Sequence, residues 1–136
     1  MRCYLAYKDG KVAGRIAAIE QKAYNTLSGR KCLRFSRFDC IDDREVAAAL
    51  FAAVEAFGRE KGLDTLHGPW GFDDMDREGM LTEGFDRRAT YATNYNFEYY
   101  KNLVTSLGFQ DESEWVEYDF DMPEEVDARI AHVASY

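Results

Sequence analysis

Two side chains at the ends of apolar runs carry functional groups suited to catalysis. His67 precedes Gly68-Pro69, and an imidazole changes charge close to neutral pH, so His67 is a candidate general base. The alternative is a hydrogen-bonded core histidine with no part in chemistry. Cys40 ends another apolar run, but a nucleophilic thiol needs a basic partner, and none lies near it in the sequence. The sequence therefore keeps His67 as a candidate base and favours a structural thiol at Cys40.

The segment 69–96 holds the other candidate groups. It has no helical or strand periodicity, yet it is rich in apolar residues, and long irregular connections in compact domains are usually functional. We expect it to form one wall of an acceptor or acyl pocket, in which Glu83 and one of Asp73, Asp74 or Asp76 would favour a cationic amine. The alternative is a structural cover over an exposed sheet edge. The apolar residues are Trp70, Phe72, Met75, Met80, Leu81, Phe85 and Tyr91.

Cysteine, histidine and charge content narrow the class of protein. Three cysteines without a CxxC pair indicate reduced thiols in a cytoplasmic protein. His67 and His132 stand far apart, so we expect no metal site. The chain has 17 Lys and Arg against 25 Asp and Glu, and a net charge of −8 argues against nucleic acid or an acidic membrane surface as partner. It has no apolar run long enough to span a bilayer and no signal-peptide core at its start.

The first third of the chain predicts three strands. Residues 3–7 and 11–23 flank the turn dipeptide Asp9-Gly10 and predict a hairpin, and residues 24–30 are predicted as a turn. Residues 31–40 alternate with apolar groups on both faces, which favours a strand inside the sheet. On this pattern Leu33 and Phe35 share one face. The other face carries Cys32, Arg34, Ser36 and Phe38.

The remaining elements are mostly helical. Asp42 as N-cap and Glu45 as its capping-box partner predict a helix over 43–61, followed by a strand at 63–68. A helix is predicted at 97–107 and a strand at 114–120. Asp121, with Pro123 and Glu124, predicts a last helix over 123–135.

This order of elements predicts an α/β (α+β) fold. Strands come first and α/β alternation follows, which suits a mixed, mostly antiparallel central sheet with helices on both faces. The unit of strand 31–40, helix 43–61 and strand 63–68 predicts a right-handed parallel crossover.

Several phrases of the sequence resemble the GNAT superfamily of acyl-CoA N-acyltransferases. The second and third strands of that superfamily are what the hairpin DGKVAGRIAA resembles. The fourth strand, main helix and fifth strand of the superfamily are what the segment FDCIDDREVAAALFAAVEAFGREKGLDTLHGP resembles. Its closing helix and final strands resemble NYNFEYYKNLVTSLGFQDESEWVEYDF. A narrower bacterial GNAT-like group is similar in GPWGFDDMDREGMLTEGFD and YNFEYY. The resemblance implies a GNAT-like domain over 1–120, with 121–136 as a C-terminal helix or linker.

The resemblance also implies a chemistry. An acyl-CoA, such as acetyl-CoA, binds where the fourth and fifth strands separate, and backbone N–H groups at the start of the main helix hold its pyrophosphate. A base removes a proton from the amine acceptor, a role for Glu83 or His67, and a tyrosine such as Tyr99 or Tyr100 protonates the leaving thiolate. The donor site maps to Phe38, Cys40, Ile41, Asp42, Asp43 and Arg44.

Two positions depart from the superfamily pattern. IDDRE stands where the superfamily has a basic, glycine-rich phosphate loop, and Asp42 and Asp43 are fully explained as helix caps. Val104 stands where the closing helix usually has its tyrosine. Two functions therefore stay open: an N-acyltransferase, and a catalytically silent GNAT-like binding or assembly module.

The ends of the chain add an expectation about assembly. The sequence starts at what resembles the second GNAT strand, so the resemblance implies that the first strand and first helices are missing. The last predicted helix reaches the end of the sequence without a C-cap signal. We expect either a fragment of a longer protein or a homodimer that covers the exposed sheet edge, which sedimentation would reveal.

Overall fold

The computed structural model describes residues 1–73, 75–90, 93–118, 121 and 127–135, and a four-stranded sheet is its centre. The strands lie in the order β1-β2-β3-β4, with β1–β2 and β2–β3 antiparallel and β3–β4 parallel. This confirms the mixed α/β sheet and the parallel crossover. The strands are β1 (Arg2–Lys8), β2 (Lys11–Ile19), β3 (Cys32–Cys40) and β4 (Thr65–His67).

Four helices accompany the sheet within the described ranges. They are α1 (Lys22–Ser28), α2 (Arg44–Glu60), α3 (Tyr99–Ser106) and α4 (Ala128–Val133). None of the described helices is long and apolar enough to cross a bilayer.

The hairpin forms as predicted, but the segment after it does not. Asp9 and Gly10 both have positive φ, 51° and 75°, which matches the twist of a two-residue hairpin turn. β2 ends at Ile19 rather than at residue 23, and α1 replaces the predicted turn. The Gln21 side chain caps α1 by accepting the N–H of Ala23 at 3.3 Å. The polar residues taken for a turn are therefore those of a short capped helix.

The main helix α2 confirms the amphipathic pattern and corrects its cap. The N-cap is Asp43, not Asp42, because the Asp43 carboxylate accepts the N–H groups of Glu45 at 2.8 Å and Val46 at 3.3 Å. The apolar stripe is buried against the sheet and consists of Val46, Leu50, Val54 and Phe57.

A β-bulge changes the faces of β3. Arg37 has a φ of +52°, and the pairing with β2 slips by one residue between Ser36 and Asp39. The residues after the bulge therefore return to the core face. Phe38 and Cys40 join Leu33 and Phe35 in the core under α2, which corrects the face predicted for Phe38.

An aromatic cluster joins the sheet, α2 and α3. The Phe51 ring on α2 lies 5.0 Å from those of Phe35 and Phe38 and 4.9 Å from that of Phe109. The Tyr100 ring on α3 lies 5.3 Å from that of Phe38. These contacts fix the start of α3 against the end of β3.

The predicted strand at 114–120 is not found in residues 114–118, which are irregular and exposed; residues 119 and 120 lie outside the described residues. Alternation alone does not make a strand, since a strand also needs a neighbour to pair with. Residues 123–126 of the last predicted helix, 123–135, also lie outside the described residues. Its described part is α4, whose N-cap is Asp127, with the Arg129 N–H donated to Asp127 Oδ1 at 2.8 Å.

Residues 70–72 cover the second face of the sheet. The Arg34 side chain is buried beneath them, and its Nη1 donates to the carbonyls of Gly71 at 2.8 Å and Phe72 at 2.9 Å. The Arg34 guanidinium carbon lies 4.0 Å from the ring centroid of Trp70 and 4.7 Å from that of Tyr24. This part of the segment 69–96 is therefore a structural cover, but it covers a face of the sheet rather than the exposed edge that the alternative interpretation named.

Candidate functional site

The parallel strands β3 and β4 separate shortly after they pair. Only three residues of β4 pair with β3, the last pair being Arg34 and His67. Gly68 then passes so close to β3 that a Cβ on it would lie 2.4 Å from the carbonyl oxygen of Phe35, and Trp70 N–H donates to that oxygen at 2.8 Å. Beyond Phe35, none of the described strands pairs with β3 on the β4 side. Ligands of α/β proteins bind at such openings, past the carboxyl ends of parallel strands.

The end of β3 meets the first turn of α3 at what we call the β3 corner, formed by Asp39, Cys40, Tyr99 and Tyr100. The Tyr99 hydroxyl donates to the Cys40 carbonyl at 2.8 Å, and the Tyr100 hydroxyl donates to the Asp39 carboxylate. The Cys40 N–H donates to the Tyr100 hydroxyl, and Arg15 Nε lies 3.5 Å from Asp39 Oδ2. The structure thus brings together three residues predicted for the site, Cys40, Tyr99 and Tyr100.

Asp39 is the member of the β3 corner that sequence analysis missed. It lies 61 residues from Tyr100 along the chain, and the bulge before it changes the strand alternation. The Tyr-Tyr pair at the start of α3 was the only available signal, because a buried tyrosine hydroxyl requires a hydrogen-bond partner.

Burial favours the protonated forms of three side chains in the β3 corner, those of Cys40, Tyr99 and Tyr100. Burial, together with the hydrogen bond to Asp39, raises the pKa of Tyr100 well above its ordinary value, and burial also raises the pKa of Tyr99. Burial and the nearby Asp39 charge raise the pKa of the Cys40 thiol to about 11. At neutral pH these groups are therefore proton donors, and Cys40 is not a thiolate nucleophile.

The start of α2, where the donor pyrophosphate was expected, is occupied by its own cap. The Asp43 carboxylate takes two N–H groups of the first turn and forms an ion pair with Lys8. The Lys8 hydrogen bond and the backbone N–H groups lower the pKa of Asp43, so it is ionised at neutral pH. Arg44 donates from Nη2 to the Ser106 carbonyl at 3.2 Å, while Ile41 and Asp42 are exposed. Phe38 is buried in the core behind this turn.

His67 and Glu83 lie in a different place, a cleft of about 1470 Å³ along the free edge of β4. His67 Nδ1 lies 2.9 Å from Glu112 Oε2, and Arg30 Nη1 lies 3.9 Å from Glu112 Oε1. Glu112 could not be identified as a candidate from the sequence, because no motif or spacing distinguishes it from the other acidic residues of the exposed segment 111–117. We call this space the β4 cleft.

The walls of the β4 cleft are apolar and its charges are mainly acidic. Within the part of the chain that the structure describes, eight carboxylate side chains and three arginines line it. Glu83 is one of the eight, but Asp73 and Asp76 are not, because they accept backbone N–H groups of their own loop. Asp74 and Tyr91 lie outside the described residues. The apolar walls include Trp70, Met80, Leu81, Phe109 and Trp115.

A smaller pocket of about 520 Å³ adjoins Tyr99. Its lining includes Phe85, Tyr95 and Phe97, and the Phe97 ring stacks on the Tyr99 ring at 5.4 Å. Among the described residues, no group of three or more His, Cys, Asp or Glu side chains is placed to hold a metal ion.

Comparison with known proteins finds two relatives. Protein YghO of Escherichia coli (strain K12) is 31% identical over 108 residues, which are 79% of this chain and 28% of that protein. Bacterial ceramide synthase of Caulobacter vibrioides (strain NA1000 / CB15N) is 28% identical over 110 residues, 80% of this chain and 29% of that protein. No family model and no solved structure matches the chain. The chain thus spans less than a third of the length of the two relatives, to which it is similar over most of its own length.

Proposed function

We propose that this chain forms the donor-binding part of a GNAT-like acyltransferase, which transfers an acyl group from a CoA thioester to an amine. One observation carries the proposal: β3 and β4 separate after Arg34 and His67, and the hydroxyls of Tyr99 and Tyr100 lie at the end of β3 beyond that point. The thioester would lie in the opening between the strands. The β3 bulge supports this placement, since bulges redirect backbone groups next to active sites.

The two tyrosines match the needs of the leaving group. Breaking the thioester C–S bond leaves a thiolate, which is stabilised when a nearby acid protonates it. Tyr99 and Tyr100 carry raised pKa values and are protonated at neutral pH. Tyr100 donates its proton to the Asp39 carboxylate, whereas Tyr99 donates its proton to a neutral carbonyl, which is a weaker hydrogen-bond acceptor. Tyr99 is therefore the better placed proton donor, and Tyr100 fixes the corner.

The β4 cleft suits the acceptor. Its excess of carboxylates favours a cationic amine, and its aromatic and aliphatic walls favour an apolar chain attached to that amine. A ceramide is an amide between a fatty acid and a long-chain amino alcohol, so the name of the Caulobacter relative is consistent with an amide-forming acyl transfer. For this chain we propose the same class of acceptor, a long-chain primary amine.

The cap of α2 favours the second candidate, a catalytically silent GNAT-like module. Asp43 already occupies N–H groups that would bind a pyrophosphate, and its charge repels one. If the chain is a transferase, its donor must be bound mainly through the acyl and pantetheine parts. The two candidates therefore make different predictions about donor binding.

Calorimetric titration separates them. The ligands are acetyl-CoA, palmitoyl-CoA and the matching S-acyl pantetheines, which lack the diphosphate. A transferase should bind palmitoyl-CoA and S-palmitoyl pantetheine with Kd values within about tenfold of each other, or about 1.4 kcal/mol. Binding of none of the four ligands would favour the silent module.

A matched pair of variants tests the role of the cap. Asp43→Ser keeps a good N-cap and removes the charge, whereas Asp42→Ser removes an exposed charge that does not cap the helix. Asp43→Ser should tighten the binding of palmitoyl-CoA but not that of S-palmitoyl pantetheine, and Asp42→Ser should change both little. Equal effects of the two variants on palmitoyl-CoA would contradict the assigned role of Asp43.

A further inference from the structure

We propose that His67 and Glu112 form a general-base pair that takes the proton of the amine acceptor, with His67 as the base and Glu112 as its positioning residue. The inference rests on the proposed acyl transfer and adds a role for Glu112. It starts from the contact between His67 Nδ1 and Glu112 Oε2, which lie 2.9 Å apart.

The position of His67 places it where a donor and an acceptor would meet. It is the last residue of β4 and pairs with Arg34, so it stands at the point where β3 and β4 separate. Its side chain is 18% exposed and lines the β4 cleft. An imidazole in this position is largely shielded from water, yet it remains accessible to a molecule in the cleft.

The contact with Glu112 indicates which nitrogen would act. A carboxylate 2.9 Å from Nδ1 favours the tautomer with its proton on Nδ1, which places the lone pair of the neutral imidazole on Nε2. No group in the described part of the chain hydrogen-bonds Nε2. A carboxylate on Nδ1 also stabilises the imidazolium that forms when Nε2 takes a proton.

The charged groups around the pair favour this division of roles. Arg30 Nη1 lies 3.9 Å from the second oxygen of Glu112 and helps to orient that side chain. Arg34 lies opposite His67 on β3, but its guanidinium is turned toward the Gly71 and Phe72 carbonyls. Cys32, on the same strand, has a raised pKa because of burial and stays neutral. Glu112 is therefore the charge that acts directly on the imidazole.

The reaction step balances with the groups present. The bound ammonium group first releases one proton to solvent. The neutral amine nitrogen then attacks the thioester carbonyl carbon, and His67 Nε2 takes a second proton from that nitrogen as the C–N bond forms. The C–S bond then breaks with its electron pair on sulfur, and a tyrosine of the β3 corner gives the thiolate its proton. The imidazolium releases its proton to solvent and the tyrosinate takes one up, so the products are the amide and the free thiol.

The test measures thiol release with palmitoyl-CoA as donor and sphinganine, a long-chain amino alcohol, as acceptor. The variants are His67→Gln and Glu112→Gln, and the control is Asp64→Asn, an exposed carboxylate just before β4 that does not line the cleft. His67→Gln should lower kcat by about 10²–10⁴-fold while the Kd for palmitoyl-CoA, measured by calorimetry, stays unchanged.

A conservative variant distinguishes a positioning role for Glu112 from a surface ion pair. Glu112→Gln should lower kcat while the Kd for palmitoyl-CoA stays unchanged, and Glu112→Asp, which keeps the carboxylate, should restore part of the lost kcat. Asp64→Asn should leave kcat unchanged. An unchanged kcat in Glu112→Gln would overturn the pair.

The outcomes separate this inference from the proposed function. If the wild type transfers the acyl group and His67→Gln keeps its kcat, the base assignment is wrong and the acyltransferase proposal stands. If the wild type binds palmitoyl-CoA but transfers nothing to the amine, both proposals fail. If His67→Gln does not fold, Glu112→Gln decides, since the Glu112 side chain is 65% exposed and its replacement is tolerated by the fold.

Discussion

The β3 corner and the β4 cleft lie on either side of the same strand separation, but they are built in opposite ways. In the β3 corner, Tyr99, Tyr100, Asp39 and the Cys40 backbone satisfy one another's hydrogen bonds next to the aromatic cluster. The β4 cleft is open, acidic and lined largely by irregular backbone. A fixed corner suits the thioester chemistry that all acyl donors share, while an open cleft suits an acceptor that determines specificity.

The difference follows from the elements that form each region. The β3 corner is made by a strand end and a helix start, and rigid elements position side chains more accurately than loops do. The β4 cleft is lined mostly by residues of 66–70, 78–89 and 107–117, in which β4 is the only regular element, while α1, α2 and α3 each contribute one residue. We therefore expect substitutions in the corner to change stability and substitutions in the cleft to change acceptor binding.

The largest effect should come from the residue that joins the two regions. Phe51 contacts Phe38 beside the corner and Phe109 on the cleft wall, so Phe51→Ala should lower the free energy of unfolding by about 3–5 kcal/mol. Leu27→Ala, at an 89% exposed position, is the control and should change it by less than about 0.5 kcal/mol. Urea denaturation measures both. A loss below 1 kcal/mol in Phe51→Ala would mean that the regions are not joined through this ring.

Within the corner, the two tyrosines should differ in their contribution to stability. Tyr100→Phe removes the partner of Asp39 and of the Cys40 N–H, and should lower the free energy of unfolding by about 1–2 kcal/mol. Tyr99→Phe removes one bond to a carbonyl at a less buried position, and should cost about 0.5–1 kcal/mol. Thermal and urea unfolding of the pair provide the comparison. The reverse order would assign the anchoring role to Tyr99.

The corner should also lose stability in alkali, and the cleft should not contribute to this loss. In the folded chain the pKa of Cys40 is raised from 9.0 to about 11. The pKa of Tyr100 is raised from its ordinary 10.0 by a larger amount. Both groups therefore bind their protons more tightly when folded. The contribution of Cys40 to stability is complete below about pH 9 and is lost as the pH rises to about 11, and that of Tyr100 begins to be lost only above about pH 10.

Urea unfolding at several pH values measures this loss. The free energy of unfolding should fall from about pH 9 upward, and Tyr100→Phe should show a smaller fall than the wild type. Thiol labelling is an independent check: exposed Cys3 should react with iodoacetamide in the native chain at pH 8, while buried Cys32 and Cys40 should react only after unfolding. Rapid reaction of Cys40 with iodoacetamide in the native chain would contradict the exclusion of water from the β3 corner.

The smallest effect should be that of single carboxylates in the cleft. Glu83→Gln should weaken binding of sphinganine by about 2–5-fold, because an exposed charge pair contributes about 0.5–1 kcal/mol. Glu45→Gln, on the first turn of α2 and outside the cleft lining, is the control and should leave the Kd unchanged. Unchanged binding in Glu83→Gln, with the fold intact by circular dichroism, would remove Glu83 from the acceptor site.

Local signals in the sequence were sufficient for the elements that frame both regions. The Asp9-Gly10 turn, the apolar stripe of α2 and the short apolar run before Gly68 each depend on neighbouring residues, and the structure contains the predicted hairpin, helix and parallel strand. The segment 22–28 was missed although Gln21 and Gly29 cap it, because its polar residues favour turns and short helices alike.

What the sequence did not predict depends on contacts between distant residues. Asp39 is paired with Tyr100 across 61 positions, and Glu112 is one of several equivalent acids until the fold places it beside His67. Residues 114–118 alternate as a strand does, but whether they pair is decided by a neighbouring strand. The candidate tyrosines were identified by resemblance, and their partners only by the structure.

The bulge at Arg37 makes this position tolerant in one way and intolerant in another. Arg37 is exposed and in the left-handed region, so glycine or asparagine should replace it at little cost. A β-branched residue disfavours this φ, and a strand straightened at this position without being shortened would reverse the faces of the residues after it: Phe38 and Cys40 would turn away from the core and Asp39 would turn into it. Over the history of such a chain, the backbone conformation at position 37 is therefore constrained more strongly than the charge of its side chain.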